Sequence, residues 1–158
     1  MAAGELAAAA VGRLNTRRHA PEIRGDHTQW LTDEEPALAE YFCAMAQLRN
    51  ALNPLLLLGL DSLQAHFALY PPGAGYARHR DRFRSDDARV LSSVLYLNPD
   101  WQPEHGGALR AHHASGVRDY LPSAGRLVLF LSDELEHEVL PATRSRSSIA
   151  AWFHRRTV

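Results

Sequence analysis

Residue types that bind transition metals stand close together at His79 and Asp81, with His137 far downstream. The run Arg78-His79-Arg80-Asp81-Arg82-Phe83-Arg84 alternates strictly. Read as a strand, it turns His79, Asp81 and Phe83 one way and the four arginines the other. A neutral imidazole and a carboxylate on one face can both reach a single cation. A second imidazole from another strand, His137, would complete a two-histidine, one-carboxylate facial triad. Such a triad leaves three adjacent coordination positions open, which suits Fe(II) binding a bidentate cosubstrate and oxygen. The triplet alone also fits a surface ion pair beside an arginine face.

The segment after Leu131 sharpens this reading. His137 stands at the start of a short apolar run, and Arg146 follows nine residues later, with Arg144 just before it. Two adjacent strands can thus offer one ligand and one cation to the same cavity. A guanidinium holds a carboxylate through two parallel hydrogen bonds and stays charged when buried. If the cosubstrate is 2-oxoglutarate, its oxoacid end chelates the metal and its far carboxylate needs such an arginine. Counting along the strand gives Arg144 and Arg146 the same facing, so spacing leaves both open.

These residues need a rigid frame. Gly4 to Leu14 is alanine-rich and predicts a short helix. Asn15 to Asp26 is polar, carries three arginines and a proline, and reads as an irregular arm. Thr32-Asp33-Glu34-Glu35-Pro36 predicts a helix start, with Thr32 or Asp33 as cap. Leu38, Tyr41, Met45, Leu48 and Leu52 then recur at helical spacing to about Asn53, where Pro54 is expected to stop the helix. From Leu63 the texture changes to short β-forming runs between turn residues: Ala65 to Tyr70, Val90 to Leu97, Ala108 to Ala111, Arg126 to Leu131, Glu138 to Leu140 and Ser148 to His154. That pattern predicts a mainly β fold with flanking helices, a sandwich or barrel.

The chain has 158 residues, 46% hydrophobic and 22% charged, which fits one globular domain. Its net charge of −1 argues against electrostatic wrapping of nucleic acid. All of its 17 basic residues are arginine, and nine histidines supply ample ligands. Cys43 is the only cysteine, so there is no internal disulfide, and a reducing cytoplasm is the expected location. No apolar run approaches a membrane span, and no membrane partner is expected. The tract Ala7 to Ala10 lacks the basic flank of a signal peptide.

Several stretches resemble one family in order along the chain: Ile23-Arg24-Gly25-Asp26 with Trp30; Tyr70-Pro71 and Gly75 through Asp81; Tyr96-Leu97-Asn98-Pro99-Asp100-Trp101; Gly106-Gly107-Ala108-Leu109-Arg110; and His137 through Ala142 with Arg146 and Trp152. In them the chain is similar to the prolyl hydroxylase domain family, the hypoxia-factor prolyl hydroxylases of animals and their bacterial relatives. These are Fe(II), 2-oxoglutarate-dependent dioxygenases on a double-stranded β-helix (jelly-roll) core. The resemblance implies one dioxygenase domain over residues 1–158, with an N-terminal helix and mobile arm in 1–32, a supporting helix in 33–53 and the β-helix core in 63–154.

It implies roles as well. His79, Asp81 and His137 match the iron ligands, and Arg146, rather than Arg144, matches the anchor of the 2-oxoglutarate carboxylate. Tyr96 matches a hydroxyl donor to that carboxylate, and Ser92 a small hydroxyl in the same pocket. Tyr70 and Trp152 match aromatic walls near the iron, and Tyr76 falls in the matching stretch on the substrate side. Asp26 and Arg89 match a pair that ties the arm to the rim. The implied cofactors are Fe(II), 2-oxoglutarate and O2, with ascorbate as reductant. The implied reaction is 4-hydroxylation of a prolyl residue in a protein, a translation elongation factor among the candidates, with succinate and CO2 as co-products. Departures are also visible. Only 22 residues precede Ile23, so the family's leading strand is expected to be missing or replaced, and His66 stands where the animal enzymes have a thioether.

Two other readings compete. One is a hydroxylase of free proline or another small molecule. The other is a non-catalytic metal-binding β-barrel module. A nucleic-acid demethylase needs a second arginine beyond the cosubstrate arginine, and Ser147 to Phe153 contains none. Oligomeric state is not specified by any feature of the sequence.

Overall fold

A computed structural model describes residues 6–9, 20, 22–81 and 88–156. Ten strands and one long helix make up the described fold: β1 (Ala7–Ala8), β2 (His27–Leu31), α1 (Ala39–Leu56), β3 (Leu60–Tyr70), β4 (Tyr76–His79), β5 (Arg89–Tyr96), β6 (Leu109–His113), β7 (Gly116–Tyr120), β8 (Leu127–Leu131), β9 (Glu136–Val139) and β10 (Arg146–Arg155). They form a six-stranded sheet ordered β1-β2-β3-β10-β5-β8 and a four-stranded sheet ordered β4-β9-β6-β7. Every pairing is antiparallel. Two such sheets closed over one interior are the jelly-roll expected from the sequence.

Strand periodicity sorts the large sheet into two faces. On β3, β5 and β10 the odd-numbered residues Leu63, Ala65, Leu91, Leu95, Ile149, Ala151 and Phe153 face α1, where they pack with Tyr41, Phe42, Met45, Leu48 and Leu52. Tyr41, Met45, Leu48 and Leu52 lie on one helical stripe, so α1 buries a single apolar face. Phe153 is 1% exposed, and its truncation to alanine is expected to cost about 3–5 kcal/mol. The even-numbered residues His66, Ala68, Tyr70, Ser148 and Trp152 face the interior between the sheets.

The end of α1 sets where β3 begins. Leu57 adopts a left-handed conformation (φ 52°) and its N–H bonds the Asn53 carbonyl. The Asn53 side chain then donates to the Leu60 carbonyl and accepts from the Leu60 N–H, both at 2.8 Å. Pro54 lies inside the helix instead of ending it. So near the terminus its missing N–H leaves only the exposed Asn50 carbonyl without an intrahelical donor. Thr32 and Asp33 do not cap. A 3-10 turn over Pro36–Leu38 leads into α1, and neither flanking residue, Glu35 or Leu38, supplies a side-chain cap.

The N-terminal segment differs from expectation. Ala7–Ala8 is a strand on the edge of β2, with the Ala9 N–H bonded to the Asp26 carbonyl at 2.9 Å, not part of a helix. An open strand edge outweighs the modest helical preference of alanine. The rest of the expected helix falls largely outside the described residues, as do residues 15–19 and 21 of the expected arm. His27–Leu31, read with that arm, is strand β2 and pairs with Ala65 to Leu69 of β3. Two strands therefore precede β3 in the sheet. Residues 22–26 are pinned to β4 by an Arg24–Tyr76 bridge and by Gly25 N–H to Gly75 O at 3.0 Å. No helix among the described residues is long and apolar enough to cross a membrane.

Candidate metal centre

β4 pairs with β9 so that His79 lies directly opposite His137. The strand ends at His79, earlier than the alternating run predicts, and Asp81 is reached through a bend. The expected facing of Arg82, Phe83 and Arg84 lies outside the described residues. Even so, the ligand atoms of His79, Asp81 and His137 lie within 4.8 Å of one another. Asp81 Oδ1 is 3.5 Å from His79 Nε2 and 3.8 Å from His137 Nε2.

Backbone carbonyls orient both imidazoles. His79 Nδ1 lies 2.7 Å from the Ala77 carbonyl, and His137 Nδ1 lies 3.2 Å from that of Leu135. A carbonyl only accepts, so each Nδ1 carries the proton and each Nε2 turns a lone pair toward Asp81. Three acceptors facing one another repel unless a cation lies between them, so this donor set fits a divalent metal ion. Rings brace the pair: Tyr76 stacks on His79 with centroids 3.7 Å apart, and Phe130 meets His137 at 4.7 Å. Burial lowers the His137 pKa against the opposing pull of Asp81, which keeps the imidazole neutral for ligation. Burial by itself would raise the Asp81 carboxyl, and positive charge on the facing His79 and His137 rings opposes this and lowers it; a cation shared by the three ligand atoms, with both imidazoles neutral, acts in the same direction.

The triad opens on a cavity of about 560 Å³ between the sheets. Arg146, Tyr70, Tyr76, Arg89 and Trp152 line it. Arg146 opens β10, is 1% exposed, and donates from Nε to the Gly107 carbonyl at 2.9 Å. Its guanidinium stands 5.0 Å from the Tyr70 ring and 5.1 Å from the Tyr96 ring. Among the described residues no carboxylate pairs with it. A buried, unmatched guanidinium calls for an anion from outside the chain. Arg144, the competing choice, is exposed and lies over Trp101.

Tyr96 and Ser92 are fully buried behind this wall. The Tyr96 hydroxyl faces the Arg146 guanidinium without a hydrogen bond of good geometry, and burial raises its pKa, as it does that of Tyr70. Ser92 shares a 2.8 Å hydrogen bond with Ser132 and also approaches Asp81. Trp152 is buried under the guanidinium of Arg89, 3.9 Å above its ring. Asp26 is not engaged as expected. Its carboxylate takes hydrogen bonds from Arg24 at 2.7 and 3.0 Å, rather than from Arg89, which donates to the Asp81 carbonyl at 3.3 Å. Arg78 and Arg80 turn outward and both meet Glu136.

The sequence pattern contains Asn98 and Gly107 but assigns neither a role. The Asn98 side chain donates to the carbonyls of Pro122 and Ser147 and accepts from the Ser147 N–H at 2.7 Å, which fixes the strand beside Arg146. The signal for it was a polar residue between two strand segments and a proline. His66, which stands out in the sequence only as a departure from the family pattern, is also on the wall.

The comparisons agree with this geometry. Residues 65–154 match the 2OG-Fe(II) oxygenase superfamily. The chain belongs to that superfamily, whose cofactors are Fe(II), 2-oxoglutarate and O2. Within it, the chain is a member of the prolyl hydroxylase family. A Pseudomonas putida prolyl-4-hydroxylase superposes with a TM-score of 0.84 and is 55% identical, the match covering 87% of this chain and 76% of that one. A prolyl hydroxylase from Trichoplax adhaerens, solved in complex with a hypoxia inducible factor oxygen degradation domain peptide fragment, superposes at 0.79 with 29% identity over 90% and 69% of the two chains. Egl nine homolog 1 of Mus musculus is 32% identical over 142 residues, 84% of this chain and 35% of that protein. The chain thus spans about a third of the length of this relative.

Proposed function

We propose that this protein hydroxylates prolyl residues in a protein substrate, most simply at C4, and releases succinate and CO2. The carrying observation is the buried Arg146 guanidinium, without a carboxylate partner among the described residues, in the same cavity as the His79–Asp81–His137 ligand set. This pairs a seat for a metal with a seat for a distal carboxylate.

Each residue then has a task. His79 and His137 give neutral Nε2 lone pairs and Asp81 gives an anionic oxygen, so the three hold Fe(II) on one side and leave the cavity side open. With iron bound, 2-oxoglutarate and O2 supply the oxidising chemistry, and ascorbate can restore the reduced metal. Arg146 grips the distal carboxylate of 2-oxoglutarate through two N–H groups, and the Tyr96 hydroxyl donates to the same group. Tyr70 stays a neutral phenol and, with Trp152, forms the wall that excludes water. Ser92 steadies Asp81. Tyr76 braces His79, and the Arg24–Asp26 pair and Arg89 hold the rim. No side chain of the protein has to act as a general base.

The test is incubation of cell extract with the protein, Fe(II) and 2-oxoglutarate, followed by mass spectrometry for added oxygen on proline. A translation elongation factor is the first purified protein to assay, as the family resemblance suggests. Prolyl oxidation that needs 2-oxoglutarate supports the reading. Turnover of free proline with no oxidised protein overturns the protein-substrate part, and no 2-oxoglutarate-dependent product overturns all of it.

A further inference from the structure

Among the atoms of the cavity-lining residues that have no hydrogen-bond partner among the described residues are Nδ1 of His66 and the indole Nε1 of Trp152, with Ser93 Oγ the third. His66 is 3% exposed and Trp152 7%, and both line the cavity. They come from neighbouring strands, His66 opposite Ala150 and Trp152 opposite Gln64 in the β3–β10 ladder. Their ring centroids are 5.2 Å apart with planes inclined by 39°, so the two groups are neighbours on one stretch of the wall. A buried polar group left unmatched costs about 1–3 kcal/mol. Two side by side mark a place where the wall awaits a partner.

The chemistry of that partner follows from the atoms. An indole N–H only donates, so the partner is an acceptor. Burial, reinforced by the guanidinium of Arg24, lowers the His66 pKa to about 4, with Arg89 acting the same way and Asp26 and Asp81 opposing. The imidazole is therefore neutral near pH 7 and supplies one N–H without a formal charge. Two uncharged donors suit an amide carbonyl better than a carboxylate. A prolyl unit in a polypeptide is a matching guest, because its nitrogen has no hydrogen and only carbonyls are offered nearby.

We propose that His66 and Trp152 are the specificity-determining pair for the substrate, donating from Nδ1 and Nε1 to one backbone carbonyl of the prolyl unit. This rests on the prolyl reading above and names what recognises that unit. Trp30 lies edge-on to His66 with centroids 5.2 Å apart and is 50% exposed. A substrate reaches the two covered donors by turning this indole aside. Arg89, stacked on Trp152, keeps the second donor in place.

The experiment titrates N-acetyl-L-proline methylamide into the full chain loaded with zinc and 2-oxoglutarate, which binds without turnover. Proton–nitrogen NMR follows the Trp152 indole resonance, and backbone amide shifts give Kd. The indole N–H is expected to move downfield. His66→Leu is expected to weaken the probe about tenfold, the loss of one hydrogen bond. His66→Gln, which keeps a donor, should stay within about threefold of the original. Trp152→Phe should weaken binding like His66→Leu, and decides the matter if that variant does not fold. Binding within twofold of the original in His66→Leu or Trp152→Phe overturns the pair while leaving the prolyl reading intact. No shift at all with the unaltered protein overturns the prolyl reading and the pair with it.

Discussion

His79 and His137 are direct cross-strand partners in the β4–β9 ladder, with ring centroids 4.3 Å apart. Residues directly opposite in an antiparallel pair leave the same face of the sheet, so one register pairing aims both imidazoles into the cavity. Asp81 completes the set from a bend just past the strand. The backbone carbonyls of Ala77 and Leu135 set the tautomers, so each Nε2 lone pair points toward Asp81, where the three would hold a metal ion.

Asp81→Ala removes the only anionic ligand of this set. Loss of a group that merely supports a ligand costs roughly 10–100-fold in metal affinity, and loss of a ligand itself should exceed that. Iron titration is expected to show affinity lowered by at least about 100-fold, with 2-oxoglutarate-dependent succinate formation abolished. Unchanged succinate output would remove Asp81 from the metal centre.

Arg146→Met leaves the triad untouched and deletes the buried cation. Hydrogen bonds to a charged group contribute about 1.5–3 kcal/mol, so the KM for 2-oxoglutarate should rise roughly 10–100-fold. Iron affinity measured without 2-oxoglutarate should stay as it was. Arg146→Lys, a point charge without the planar fork, should fall between the two. An unaltered KM in Arg146→Met would place the carboxylate seat elsewhere.

Gly107 links the glycine pair to the same seat. Its φ is +70°, and a Cβ there would stand 2.9 Å from Ala142 Cβ, 3.1 Å from the Trp101 ring and 3.4 Å from Arg146 Cδ. Its carbonyl also accepts from Arg146 Nε. Gly107→Ala is expected to cost about 1–3 kcal/mol of stability, by strain and overpacking, and to raise the KM for 2-oxoglutarate while iron binding holds. Chemical denaturation and steady-state kinetics check the two halves separately.

The β core was legible because its strands are apolar runs cut by Pro, Gly and Asn, and the ligand set because few residue types bind iron. What escaped had a weak local signal. β7, Gly116–Tyr120, is exposed along nearly its whole length, so no burial pattern marks it, and it is held as the edge partner of β6 with Tyr120 alone packing on the core. β2 is short and largely polar, and its Thr28 and Trp30 turn toward the cavity. Ala7–Ala8 follows the sheet edge against its own preference. Asp26 pairs with Arg24 two residues away, where the intervening Gly25 N–H is held to the Gly75 carbonyl. A Cβ on Gly75 would meet the Val139 carbonyl at 2.6 Å, a close approach visible only once the strands are in place.

His66 makes the stability of the fold depend on pH. Its pKa falls from the ordinary 6.5 to about 4 on folding, so between those values the unfolded chain binds the extra proton and the folded chain does not. Stability therefore rises with pH across this window. The contribution is fully present above pH ~6.5 and is lost as pH falls toward the folded value. The full difference corresponds to about 3 kcal/mol. His66→Gln cannot titrate, so its stability should change less steeply between pH 6.5 and 4.5 while other groups titrate alike in both proteins. Urea denaturation of both proteins at pH 4.5, 5.5 and 6.5 checks this. Parallel curves would mean that His66 titrates alike in the folded and unfolded chains, and that the imidazole is not sealed in the wall between Trp30 and Trp152.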